Sequence, residues 1–147
     1  MALLLYGLYL FLAVYSAGNM LTLQIQHYGI YPWVGKEAFG AYMQANNKAA
    51  LLPSILPAMG LLLVSGALLW VRPPFMPNAA ATASLGLNLA AFLSTFVWQR
   101  KIQAQLAVRG YQESEVRRLL ATNWVRTGLF LVQAGVAVAV TLRALAR

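Results

Sequence analysis

No cysteine and no aspartate occur in this chain, and histidine occurs once, as His27. Without cysteine there are no disulfides, no thiolate nucleophile and no Cys-ligated zinc or iron–sulfur centre within the chain. One histidine alone cannot build a zinc site. A Ser-His-Asp arrangement is unsupported, because the only acidic residues are Glu37, Glu113 and Glu115, all outside the apolar runs. A proton path through a bilayer would want a carboxylate inside a span, and there is none. Broken inverted repeats are absent too, which argues against a transporter. Charge itself is scarce. Only 10% of residues are charged, against about 25% in soluble domains, too little polar surface to coat a globule.

What the chain has instead is apolar length. Hydrophobic residues make up 61% of its 147 positions. A spanning helix needs about 20 apolar residues, and four segments qualify: about 2–25, 49–71, 79–98 and 119–142. The fourth is shortest once its charges are set aside, and Arg126 and Arg143 extend it by snorkelling. The first segment has no basic flank and outruns a signal-peptide core, so it reads as a retained helix. The expectation is an all-α integral membrane protein: one domain over 1–147, a four-helix transmembrane bundle.

The connections differ in character. Residues 26–48 hold Pro32 and then "GKEAFGAYMQANNK", which sets Phe39, Tyr42, Met43 and Asn46 on one helical face. This predicts a short amphipathic helix at the membrane surface between helices one and two. Pro53 and Pro57 predict a bend where the second span begins. "RPPFMPN" (72–78) is a short stiff turn, so spans two and three are antiparallel neighbours. Span three carries small residues at Thr82, Gly86, Ala90 and Ser94, a close-packing stripe. The segment 98–124 is polar but helical in pattern. It predicts that helices three and four project as a hairpin with its tip at Gly110–Tyr111, Gly110 capping one helix and Ser114 or a neighbour starting the next. Such a hairpin pairs residues whose numbers sum to about 221. Trp98 then lies level with Asn123, and Asn88 with Gln133, two amides placed to bond across helices.

Eleven Lys and Arg against three Glu give a net charge of +8. Because these charges sit between apolar runs, anionic lipid headgroups are their expected partner and nucleic acid is excluded. Most lie in 26–48 and 99–118. The positive-inside rule therefore puts those connections in the cytoplasm, and both termini outside, with Arg72, Arg143 and Arg147. Trp33 and Trp70 read as interfacial anchors, and Asn19, Asn88 and Gln133 as helix–helix glue.

One end of the bundle collects most of the chemistry. Gln24, His27, Tyr28 and Tyr31 are spaced to share one helical face. Trp98 and Gln99 end span three at that level, while Asn123, Trp124, Arg126 and Thr127 begin span four. Tyr42 and Asn46 come from the surface helix. Polar groups in a membrane are costly, so their convergence suggests a lipophilic, aromatic-lined pocket. With His27 as base and amide and guanidinium donors beside it, such a pocket suits a phenolic or quinone-like ligand, whose anion it would steady. Two alternatives stay open: a non-catalytic structural or accessory subunit, and a haem or pigment protein using His27 as axial ligand. A homo-oligomer and a larger membrane complex are both compatible with the outer faces.

The runs "QIQHYGIYPWVGKEAFGAYMQANN", "LPSILPAMGLLL" and "LLATNWVRTGLFLVQ" resemble small four-helix bacterial membrane proteins, which in turn are similar to the anthrone-oxygenase-like family. The resemblance covers nearly the whole chain. It implies a bacterial cytoplasmic (inner) membrane location and cofactor-independent, metal-free oxygenation of a fused-ring phenol. It would make His27 the base, with Asn123, Trp124 and Arg126 holding an oxyanion and Tyr28, Tyr31 and Trp98 stacking on the rings. The chain departs from that pattern in the surface helix, where Met43 and Asn46 stand at positions for which the resemblance suggests histidines.

Overall fold

The computed structural model describes residues 1–146 and is entirely helical over them; Arg147, one of the basic residues assigned above to the terminal side, lies outside the described residues. Helix α1 (Ala2–Thr22) continues through a π turn, Leu23–His27, and a 3-10 turn, Tyr28–Trp33. A short loop leads to α2 (Phe39–Ala49). A second π turn, Leu51–Ile55, opens α3 (Leu56–Ala67). Then α4 (Asn78–Ser94), a third π turn (Thr95–Gln99) and α5 (Arg100–Arg109) form one rod, and α6 (Glu113–Leu145) completes the chain.

Three of these stretches, Ala2–Trp33, Asn78–Arg109 and Glu113–Leu145, are long and apolar enough to cross a membrane. A fourth crossing requires the bent pair Phe39–Ala49 and Leu51–Ala67 to act as one span; the bend between them is 46°. Pro53 and Pro57 explain that end of α3. Neither has an N–H, so helical bonding is lost, and the Ser54 and Ile55 amides both turn to the Ala50 carbonyl. The second apolar segment is also shorter than expected. Its helix stops at Ala67 instead of Val71, because the chain tightens into turns as it approaches Pro73, and Arg72 Nη1 caps it by donating to the Leu69 carbonyl at 3.1 Å.

Helices α1 and α4 each pack against both α3 and α6, so they face one another diagonally. Side chains reach across that diagonal. Tyr9 Oη and Ser84 Oγ are 2.7 Å apart, and Gln133 Nε2 donates to the same Tyr9 oxygen at 3.0 Å. Asn88 Nδ2 donates to the Ser84 carbonyl and to Ser65 Oγ, both at 2.9 Å. One hydrogen-bonded chain thus ties α6, α1, α4 and α3 together inside an apolar core of Tyr6, Ala13, Met20, Leu61, Ala81 and Phe130. The expected Asn88–Gln133 bond is not made. Tyr9 and Ser84 stand between the two amides and take one each. Tyr9 is fully buried.

A second, separate core forms toward the polar ends of these stretches from Tyr28, Tyr31, Phe39, Met43, Ile102, Leu106, Val116 and Leu119. It lies among the charged parts of α5 and α6. The helix Ala2–Trp33, at 32 residues, is about 48 Å long, more than an apolar core of about 30 Å requires. Its last turns, from Gln26, belong to this outer head. The helix expected at the membrane surface is α2, and the prediction needs correcting in one respect. Its apolar face, Phe39 and Met43, is buried against α5 rather than turned to lipid. Contact is close: Gly40 approaches the Ala107 carbonyl oxygen so nearly that a Cβ there would lie 3.3 Å from it.

The α5–α6 hairpin turns at Gly110, whose φ of +75° suits glycine alone. Helix α6 starts at Glu113 after an extended Gln112, one residue before the anticipated Ser114. Arg126 Nη1 donates to Thr95 Oγ1 at 3.5 Å, a pair whose numbers sum to 221, the register expected for that tip.

Candidate functional site

All three π turns occur at the end of the spans nearest the head. Each forms where a side chain disturbs the α-helical ladder. Thr22 and Thr95 bond back to the Gly18 and Ala91 carbonyls at 3.0 Å, as does Ser94 to Ala91 at 2.9 Å, and such back-bonding loosens a helix. Pro53 does the same by omission. π turns recur at functional sites because they re-aim side chains at the cost of ladder bonds.

Between the two apolar cores lies a layer of buried polar residues: Gln24, Ser94, Gln99, Asn123 and Thr127. Gln24 Oε1 accepts from Asn123 Nδ2 at 2.6 Å, and its Nε2 donates to the Leu120 carbonyl at 3.2 Å. Asn123 Oδ1 accepts from Arg126 Nη2, and its Nδ2 also reaches Thr127 Oγ1 at 3.4 Å. Helices α1, α4 and α6 all contribute. Among the described residues the Arg126 guanidinium meets neutral oxygens only, and its buried Nε has no partner. The ion pair present among those residues, Arg117–Glu113, is on the surface of the head. The positive charge of Arg126 is therefore uncompensated at the edge of the apolar zone.

His27 belongs to a neighbouring group. Its Nε2 is 3.5 Å from Tyr31 Oη, which also accepts from Asn46 Nδ2 at 3.5 Å. The imidazole meets the Tyr31 ring edge-on at 5.4 Å and stacks over Tyr42 at 6.1 Å between centroids. Phe39 closes the far side of Tyr31. Tyr28 is buried beside them, and its hydroxyl accepts from Gln103 Nε2 at 3.3 Å. Burial holds His27 below the usual imidazole range, against the opposing pull of Asn46, and pushes the Tyr31 and Tyr42 hydroxyls up. A neutral imidazole thus sits among neutral phenols.

Of the residues singled out from the sequence, Gln24, Asn123 and Arg126 come together, and His27, Tyr28, Tyr31, Tyr42 and Asn46 form the adjoining aromatic group. Trp98 and Trp124 do not converge on either. They are 37% and 52% exposed, on the outer surface. Two clefts lie at the opposite end of the bundle, one of about 420 Å³ beside Trp70, Arg72 and Pro73 and another of about 250 Å³ beside Phe75, Val140 and Arg143.

The sequence places Gln99 at the end of span three, level with this layer, and assigns it no role. It is fully buried, and neither amide atom has a partner among the described residues. The signal available was spacing: Tyr9 and Ser84 are 75 residues apart, as are Tyr28 and Gln103. Gln99 stands at the same offset from Gln24, between those two pairs. The two glutamines are therefore level across the diagonal of α1 and the α4–α5 rod. No known protein family, curated protein or solved structure matches the chain.

Proposed function

We propose that this is a four-helix transmembrane protein that holds a lipophilic ring compound, phenolic or quinone-like, by its oxygen-bearing head at the Arg126 layer. The observation that carries this reading is the uncompensated guanidinium. A half-buried Arg126 with only neutral oxygens around it, in a chain with three acidic residues, favours a ligand that brings electron-rich or anionic oxygen. His27, held neutral beside this layer, is the base that could take a phenolic proton. The resemblance to anthrone-oxygenase-like proteins adds a cofactor-independent oxygenase-like reaction with dioxygen to the same reading. A bacterial inner-membrane setting, with both termini outside and anionic headgroups against the basic head, completes it.

The test is direct. Detergent-purified protein is extracted with organic solvent and analysed for quinones and polyphenols, then titrated with such compounds. Retained ligand and saturable binding, weakened by Arg126→Leu, support the reading. Protein that is empty and binds no aromatic amphiphile removes it. The apolar outer faces, with Leu63, Leu93 and Leu142 exposed, suit one second reading, an accessory subunit of a larger membrane complex. Stoichiometric partners in a pulldown, together with absent ligand binding, would select it.

A further inference from the structure

Within the proposed ligand site, on which this inference rests, Gln99 is a polar group with no assignment. A primary amide carries donors and an acceptor, and leaving them unpartnered in an apolar environment costs more than a hydrogen bond returns. Gln99 is 0% exposed, with Nε2 and Oε1 both unpartnered among the described residues. Its level is fixed by the bracketing bonds Tyr9–Ser84 and Tyr28–Gln103. On the other side of the diagonal, Gln24, Asn123 and Arg126 have already bonded to one another. The layer thus has two polar walls, one cationic and bonded to itself and to Thr95 with the Arg126 Nε left unpartnered among the described residues, the other a lone amide.

The wall between them is weak on the side of helix two. The π turn Leu51–Ile55 packs against α1 and α2 and buries none of its own side chains. Above it α3 packs on α4, and below it α2 packs on α5. Around this turn the chain bends by 46°.

We infer that Gln99 is the second anchor of the site, and that the ligand class is a para-quinone or its quinol, with oxygens at both ends of the ring. One oxygen meets the Arg126 wall, and the opposite oxygen meets Gln99. A quinone carbonyl accepts from the Gln99 Nε2; a quinol hydroxyl donates to its Oε1. An amide suits both redox states, whereas a monophenol leaves Gln99 unmet.

The experiment measures binding by calorimetry in detergent with three probes: a para-benzoquinone carrying a decyl chain, its quinol, and para-decylphenol. The intact protein should bind the first two about 10-fold tighter than the phenol, the gain of one buried hydrogen bond. Gln99→Leu should abolish that preference while sparing phenol affinity, and Arg126→Leu should weaken all three. Melting of the ligand-free protein gives an independent readout. Because the Gln99 side chain bonds to nothing among the described residues, Gln99→Leu should leave the melting temperature unchanged or raise it. Gln99→Met repeats the test with a flexible side chain of similar length.

Quinone binding indifferent to Gln99→Leu and Gln99→Met overturns the inference and leaves the site standing. So does a lowered melting temperature in both variants, or failure of both to fold, since either makes Gln99 a structural residue. An intact protein that binds none of the probes overturns both the site and its second anchor.

Discussion

Asn19 Nδ2 lies 2.9 Å from the carbonyl oxygen of Pro53, a group to which Pro57 can offer no helical N–H. The same nitrogen donates to Ser54 Oγ at 3.0 Å, and Tyr15 Oη donates to the Pro53 carbonyl at 3.0 Å. Helix α1 thus supplies the bonds that the prolines remove from the second apolar segment. Asn19→Leu should lower stability by about 1 kcal/mol, within the range for interhelical bonds in membranes. Tyr15→Phe should cost less alone but add to it. Unfolding in detergent measures both, and no change in the double variant would disconnect these side chains from the proline break.

Tyr9→Phe removes one oxygen that serves two helices, Ser84 on α4 and Gln133 on α6. The Oε1 of Gln133 already lacks a partner among the described residues. The variant leaves that amide wholly unmet, so the expected loss is about 1–2 kcal/mol. Adding Gln133→Leu should return part of it. A double-mutant cycle reads the coupling, and strict additivity would mean that the two groups do not interact.

His27 gives a pH dependence of known sign. Burial lowers its pKa in the folded state below the ordinary 6.5, so the unfolded chain binds the proton more readily. The stabilising effect is complete above pH 6.5 and declines as pH falls below it toward the folded pKa. His27→Gln should flatten the fall in melting temperature between neutral pH and about pH 5. An unchanged slope would show that other groups set it.

Gly110→Ala forces a Cβ onto a residue with φ of +75°. The hairpin should lose about 1 kcal/mol and remain folded. Gly40→Ala acts differently, since its Cβ would press within 3.3 Å of the Ala107 carbonyl oxygen. That variant should loosen α2 from α5, seen as faster amide exchange in α2 with the spans unaffected.

The sequence made the apolar spans, the hairpin tip and its register legible because each rests on local signals: long uncharged runs, a glycine between polar helical segments, and antiparallel geometry. The bend at Pro53 was legible for the same reason. The partners of Asn88 and Gln133 were not, because Tyr9 intervenes from α1, which no hairpin rule relates to them, while Asn88 turns back to Ser84 on its own helix and across to Ser65. Gln24 and His27 were grouped on one face, yet they join different clusters, since the ladder that holds them widens to a π turn at Leu23–His27. Trp98 and Trp124 lie at the right height but point outward, and height alone does not fix azimuth. The apolar face of α2 was visible as a pattern; that it meets α5 rather than lipid depended on a tertiary contact the pattern does not encode.

The π turns at Leu23–His27 and Thr95–Gln99 occur on the two helices joined by Tyr9–Ser84 above and Tyr28–Gln103 below, and the offset of 75 is the same at both bonds. A widened turn acts as a one-residue insertion in a helix. Here two insertions cancel. Deleting one residue from either turn would shift everything beyond it by a position and tear Tyr28 from Gln103. Deleting one from each would restore the pairing. The two turns are therefore coupled: losing one without the other breaks the register between the two helices.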